Sequence, residues 1–230
     1  MSRATKLIAK LRKPPAAHNW VKHIRPRRDE TAFALSNFAL YPPRTSLLQT
    51  TAICVQIVVD GISLEQALKC VEGIKDPSNR ARARWIVKAF YSYGVSKNLR
   101  GLQVFRDMTE FFPVSAGVRV PVKPTFVLNE GGKLVPYFLI CWTKMDLSPH
   151  QRSLLSTLIS ETILTLEEFE GSDAVIVCTP LAPHSKHERQ VVAWRVGDFP
   201  PLDADEMQAV FDRYAMALDD AEKIIIESLA

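Results

Sequence analysis

No stretch of this chain approaches the roughly 18 to 20 consecutive apolar residues that a membrane helix needs. Leu134–Trp142 (LVPYFLICW) is nine apolar residues in a row, and the N-terminus has no apolar core of the secretory type. Cysteine is scarce: Cys54, Cys70, Cys141 and Cys178 lie far apart with no CxxC among them, so buried free thiols in a reducing, cytoplasmic compartment are expected. P-loop, GxGxxG and GxSxG patterns are missing, and no Ser/His/Asp set can be assigned from spacing. These gaps leave no catalytic set, metal or cofactor to assign. Internal repeats and low-complexity tracts are also absent. Most telling is the lack of any acid in the first 28 residues, which hold nine Lys/Arg.

That last absence belongs to a wider asymmetry. The net charge of +4 divides into +13 over residues 1–106 and −9 over residues 107–230. Such a division predicts two regions with different partners, or two regions that neutralise each other. With 47% hydrophobic and 23% charged residues, the chain is expected to be globular and able to bury one large core or two small ones.

The basic region, about residues 1–95, reads as mainly helical. Thr5–Lys13 predicts a short amphipathic helix on Leu7, Ile8 and Leu11, ended by Pro14-Pro15. The rest of the arm, with Trp20, His23, Arg25, Arg27 and Arg28, is read either as a phosphate-tracking or lipid-facing arm or as a solvated, mobile tail. A single serine in these 28 residues gives poor support to a transit peptide. After Tyr41-Pro42-Pro43, helical spacing begins at Thr45 and includes Leu47, Leu48, Ala52, Val55, Val58 and Val59. The β-branched density there leaves a strand open, with helix preferred. Ser63-Leu64-Glu65-Gln66 is a capping box that opens the next helix.

A helix from about Pro77 to Tyr93 follows, its apolar face read as Ala81, Trp85, Ala89, Phe90 and Tyr93. Its other face stacks Arg80, Arg84 and Lys88 at i, i+4 and i+8, with Arg82 beside them. Like charges at that spacing repel by a few tenths of a kcal/mol per pair. Such a ladder needs an external anion, either nucleic-acid phosphates or the chain's own acidic half.

Residues 96–230 read as an α+β region that can share a core with the first. Ser96 predicts the cap of a helix over Lys97–Phe112, and Val118–Val122 alternates as an edge strand carrying Pro121. The turn signal Asn129-Glu130-Gly131-Gly132 pairs Thr125–Leu128 antiparallel with Leu134–Trp142, a central strand covered on both faces. Ser148-Pro149-His150-Gln151 then caps a long helix that Gly171 closes. Strands at Ala174–Cys178 and Gln190–Val196 follow, and Asp203 with Glu206 caps a final helix. The expected fold is thus a basic helical region followed by a mixed or antiparallel sheet, packed with a long helix and a C-terminal helix.

This element order from residue 97 to about 200 resembles the core of the PD-(D/E)XK nuclease-like superfamily. That resemblance implies Mg²⁺ held by an Asp on the second strand and a (D/E)xK triplet on the third. Here Thr125–Asn129 has no Asp, and Trp142-Thr143-Lys144 keeps the Lys with Trp in the acidic position. It therefore implies a nuclease-like fold without the usual nuclease site. The order also looks like the helix–strand chaperones of type III secretion, which implies a protein partner on the acidic half and an oligomer. Cys178, His184, His187 and Glu188 match no standard zinc spacing and read as a buried thiol beside a solvated loop. Glu161, Glu167, Glu168, Glu170 and Asp173 read as a solvated or partner-facing helix end.

The function expected from these residues is non-enzymatic binding of nucleic acid, DNA or RNA. Arg80, Arg84 and Lys88 contact phosphate, Arg82 assists, the arm arginines Arg25, Arg27 and Arg28 add to them, and Tyr91 or Trp20 stacks. The alternatives are a protein-interaction or assembly role, and a divergent metal-dependent nuclease using Glu110, Glu130 and Lys144.

Overall fold

The computed structural model describes residues 2–42, 47–103 and 108–229. The apolar run at the heart of the sequence becomes β5 (Lys133–Ile140), the centre of a five-stranded mixed sheet. The sheet order is β1 (Gly101–Gln103), β4 (Phe126–Glu130), β5, β6 (Val175–Cys178), β7 (Val192–Arg195). All pairings are antiparallel except β5 with β6. The β4–β5 hairpin turns at Gly131-Gly132, with φ of +59° and +88°, two successive values that glycine tolerates without strain.

Residues alternate along β5 between two cores, as the pleat of a strand requires. Val135, Tyr137 and Leu139 join Phe126, Leu128, Val175 and Val177 under one helical layer, formed by α4 (Leu48–Val59), α5 (Leu64–Glu72) and α6 (Pro77–Ser96). Phe138 and Ile140 join Val127, Ile176 and Cys178 on the other face, against α7 (Pro149–Ser160) and α8 (Ala204–Leu229). That second core also takes α1 (Arg3–Leu11), α2 (Ala17–Val21) and α3 (Arg28–Leu40), together with the separate hairpin of β2 (Glu110–Ser115) and β3 (Val118–Val122). The α+β expectation holds, and each core draws residues from both sides of residue 95.

Both predicted capping boxes close, Ser63 with Gln66 and Ser148 with Gln151. Asp203 and Glu206 cap α8 reciprocally as well. Three expectations are corrected. Ser96 does not open a helix, and Gly101–Gln103 and Glu110–Ser115 are strands; residues 104–107 lie outside the described residues. Asn98 explains this: at φ +49° it ends α6 in a Schellman turn, with Leu99 N donating to Gly94 O and Asn98 N to Val95 O. Gly101 then passes so close to α4 that a Cβ would meet Val59 Cγ2 at 2.9 Å.

The helix capped by Ser148 stops at Ser160 and not at Gly171. Hydroxyls of Thr162 and Thr165 donate to the carbonyls of Leu158 and Thr162, loosening the turn before buried Phe169 returns the chain to the sheet. The apolar face of α6 is also rotated from the one read in sequence. Ala83, Ile86, Val87, Phe90 and Gly94 are buried, while Ala81 is exposed. Burial under a sheet selected the smaller β-branched stripe over the one led by Trp85.

Candidate functional site

Past the carboxyl end of β5 lies a cleft of about 860 Å³. Its floor is Cys141, Trp142, Thr143 and Lys144, directly after β5. The arm supplies one wall with Lys10, His18, Lys22, His23 and Arg25; the start of α4 and Arg82 of α6 supply the other.

The arm is therefore neither a free tail nor a loose strap. Trp20 is fully buried, edge-on to Tyr214 at 5.2 Å, so it is closed to a base. Gln151 Nε2 donates to Val21 O at 3.0 Å and Ile24 O at 2.8 Å, so the residue that closes the cap of α7 also fixes α2. Arg12 pairs with Glu222 at 2.8 Å, and Arg28 grips Asp220 through Nε and Nη2 at 2.6 and 2.7 Å. Arg27 is held by its neighbour Asp29.

Five cations line the cleft: Lys10, Lys22, Arg25, Arg82 and Lys144. One carboxylate, Asp146, accompanies them, and Lys22 holds it at 3.1 Å. The same ammonium lies 4.2 Å from the Trp142 ring centre, and the Trp142 indole N–H donates to Asn19 Oδ1 at 3.0 Å. Burial pushes His18 down to about 4. Burial, reinforced by Arg25 and Lys22, pushes His23 to about 4 too, so both rings are uncharged at neutral pH. The arrangement can attract and hold a polyanion, with Trp142 as a flat, rigid floor.

Of the residues expected to bind nucleic acid, the fold brings Arg25 and Arg82 together in this cleft. Arg84 is instead paired with Glu72 of α5 at 2.5 Å, and Lys88 lies 5.2 Å from the ring centre of Trp85. No carboxylate among the described residues is within 4 Å of Arg80. The alternative nuclease set does not assemble. Glu110 starts β2 in the other sheet, opposite Val122. Glu130 faces Lys133 at the start of β5, while Lys144 follows its end, so the length of the strand separates them. Glu130 is occupied there, accepting from Tyr137 and from Arg195 Nη2 at 2.7 Å, at the edge of a second cavity of about 1010 Å³. Cys178 is buried in β6, and His184, His187 and Glu188 are exposed on the loop beyond it.

Lys10, Lys22 and His18 are contributors to the cleft that sequence spacing did not flag. Lys144 stood out only through its family resemblance, since a residue just past a strand carries no periodic signal. No family model matches the chain, and no curated protein matches it. Among solved structures, the crystal structure of SSO0001 aligns at 12% identity over 74% of this chain and 72% of that one, with a TM-score of 0.32.

Proposed function

We propose that this chain is a non-enzymatic nucleic-acid-binding protein that takes phosphate backbone into the basic cleft beyond β5. The observation that carries this reading is the charge of the cleft, five cations against a single carboxylate that is itself held by Lys22. Concave walls of one sign focus the field and concentrate a polyanion.

We read the antiparallel β4–β5 pair, the α7 crossover and parallel β6 as a resemblance to the PD-(D/E)XK core in which Lys144 remains and the acids are gone. The residues present do not fit a divalent ion. Mg²⁺ needs hard oxygen ligands, usually carboxylates, and here Trp142 stands at the acidic position with Asp146 engaged elsewhere. No metal-dependent step is assigned.

The test is a salt titration of binding to labelled oligonucleotides. Replacing Lys10, Lys22 and Lys144 with Gln together should weaken binding to all sequences alike. It should also lower the log–log salt slope by about 2 on single strands, at roughly 0.7 per phosphate contact. Unchanged affinity and slope in a folded variant would remove the cleft from consideration.

A further inference from the structure

Asn19 sits between two aromatic side chains of the cleft and settles the chemistry of one of them. The indole N–H of Trp142 can only donate, so the amide atom 3.0 Å from it is Oδ1. That turns the amide NH2 of Asn19 toward His18, whose Nε2 lies 3.1 Å from Nδ2. An amide NH2 can only donate, so Nε2 accepts through its lone pair. The one proton of the uncharged ring is then on Nδ1. Burial, which keeps the ring uncharged at neutral pH, agrees with this assignment. The frame around the pair is firm. Lys22 lies over Trp142, 4.2 Å from its ring centre, and the rings of His18 and Trp142 are 6.1 Å apart.

The other nitrogen is unspent. Nδ1 of His18 has no hydrogen-bond partner among the described residues, and it is not sealed from solvent. The ring lines the cleft, as do Asn19 and Trp142. With Nε2 occupied, the imidazole has no lone pair left to offer, only an N–H. The five cations of the cleft are donors alone as well, and the carboxylate of Asp146 is taken by Lys22. A ligand that satisfies such walls must bring acceptors, and the free oxygens of a phosphodiester accept without donating.

We propose that Asn19 fixes His18 as the Nδ1–H tautomer, so that an uncharged imidazole donates a hydrogen bond to a phosphate oxygen held in the cleft. This deepens the reading of the cleft as a nucleic-acid site and rests on it. A neutral donor adds affinity but releases no counterion, which separates it from a lysine. The experiment pairs nitrogen-15 NMR of the histidine rings with salt-titrated binding of a fluorescein-labelled oligothymidylate. In the free protein, Nδ1 of His18 should have the shift of a protonated nitrogen and Nε2 that of a bare one. Asn19→Leu should draw the two shifts together. His18→Ala should weaken binding roughly fivefold, as for one neutral hydrogen bond, and leave the log–log salt slope unchanged. His18→Asn, whose amide nitrogen takes nearly the place of Nδ1, should recover part of that loss, and His18→Gln should not. A bare Nδ1 overturns the proposal, and so does a lowered slope in His18→Ala, the mark of a charged ring. Wild-type affinity in His18→Ala, with the Lys10/Lys22/Lys144 variant weakened, overturns it and leaves the cleft reading standing. If His18→Ala fails to fold, the wild-type spectrum decides, since an Nδ1–H signal unmoved by saturating oligonucleotide is equally fatal. No binding of the probe by the wild-type protein overturns both readings.

Discussion

Two histidines carry the pH dependence at the scale of single residues. His18 and His23 are held at about 4 in the folded chain, against an ordinary 6.5. The unfolded chain therefore binds more protons between those values, and stability rises with pH across them. The contribution is complete above pH 6.5 and is lost as pH falls toward 4. Urea unfolding midpoints should drop across that window, and a His18→Gln/His23→Gln variant should show a flatter pH profile. An equal drop in wild type and variant would place the sensitivity elsewhere. Ligand binding should show the opposite sign. A phosphate beside His23 favours the protonated ring, so affinity for an oligonucleotide should increase as pH falls toward the free ring's value of about 4 in protein that is still folded.

At the scale of elements, α6 separates what sequence could and could not say. Its existence and its cationic ladder were legible, while Asp76, which caps it, was read only as the stop of the preceding helix. Which face it buried was not, because two apolar stripes share the helix and only the sheet beneath decides between them. The same holds for residues after Ser96, where serine looks like an N-cap until Asn98 is known to be left-handed. β5 was read correctly because a run apolar at every position fits burial on both faces. One rung of the ladder has a partner that the sequence reading did not name. Glu72 relieves Arg84 from the preceding helix, so neither phosphate nor the acidic half is needed for it. Replacing Arg80, Arg84 and Lys88 with Gln should shift stability by less than about 1 kcal/mol, since an exposed pair is worth little and the lost repulsion offsets it. The same change should weaken oligonucleotide binding less than the cleft triple variant does. A larger loss would move the interface to the outer face of α6.

Across the whole molecule, the charge asymmetry resolves into ion pairs. Arg12 and Arg28 meet Glu222 and Asp220 on α8, and Lys22 meets Asp146, so part of the basic excess is neutralised by the acidic region. Of the cations left without a carboxylate among the described residues, Lys10, Arg25, Arg82 and Lys144 line the cleft. The arm's placement depends less on those exposed pairs than on Trp20. Trp20→Ala should cost about 3–5 kcal/mol by leaving a cavity against Tyr214. The melting temperature should fall, and amide protons of residues 17–24 should exchange faster. A variant as stable as wild type would show that the arm is held by its charges alone. The arm's partners have a consequence in time. Arg12 bonds a residue 210 positions away and Arg28 one 192 away, both on α8. At roughly 5–20 residues per second, α1 to α3 leave the ribosome about 10–40 s before α8 exists to receive them. The arm's helices are made well before the helix that holds them, and the wall they give the cleft is closed only once α8 has emerged.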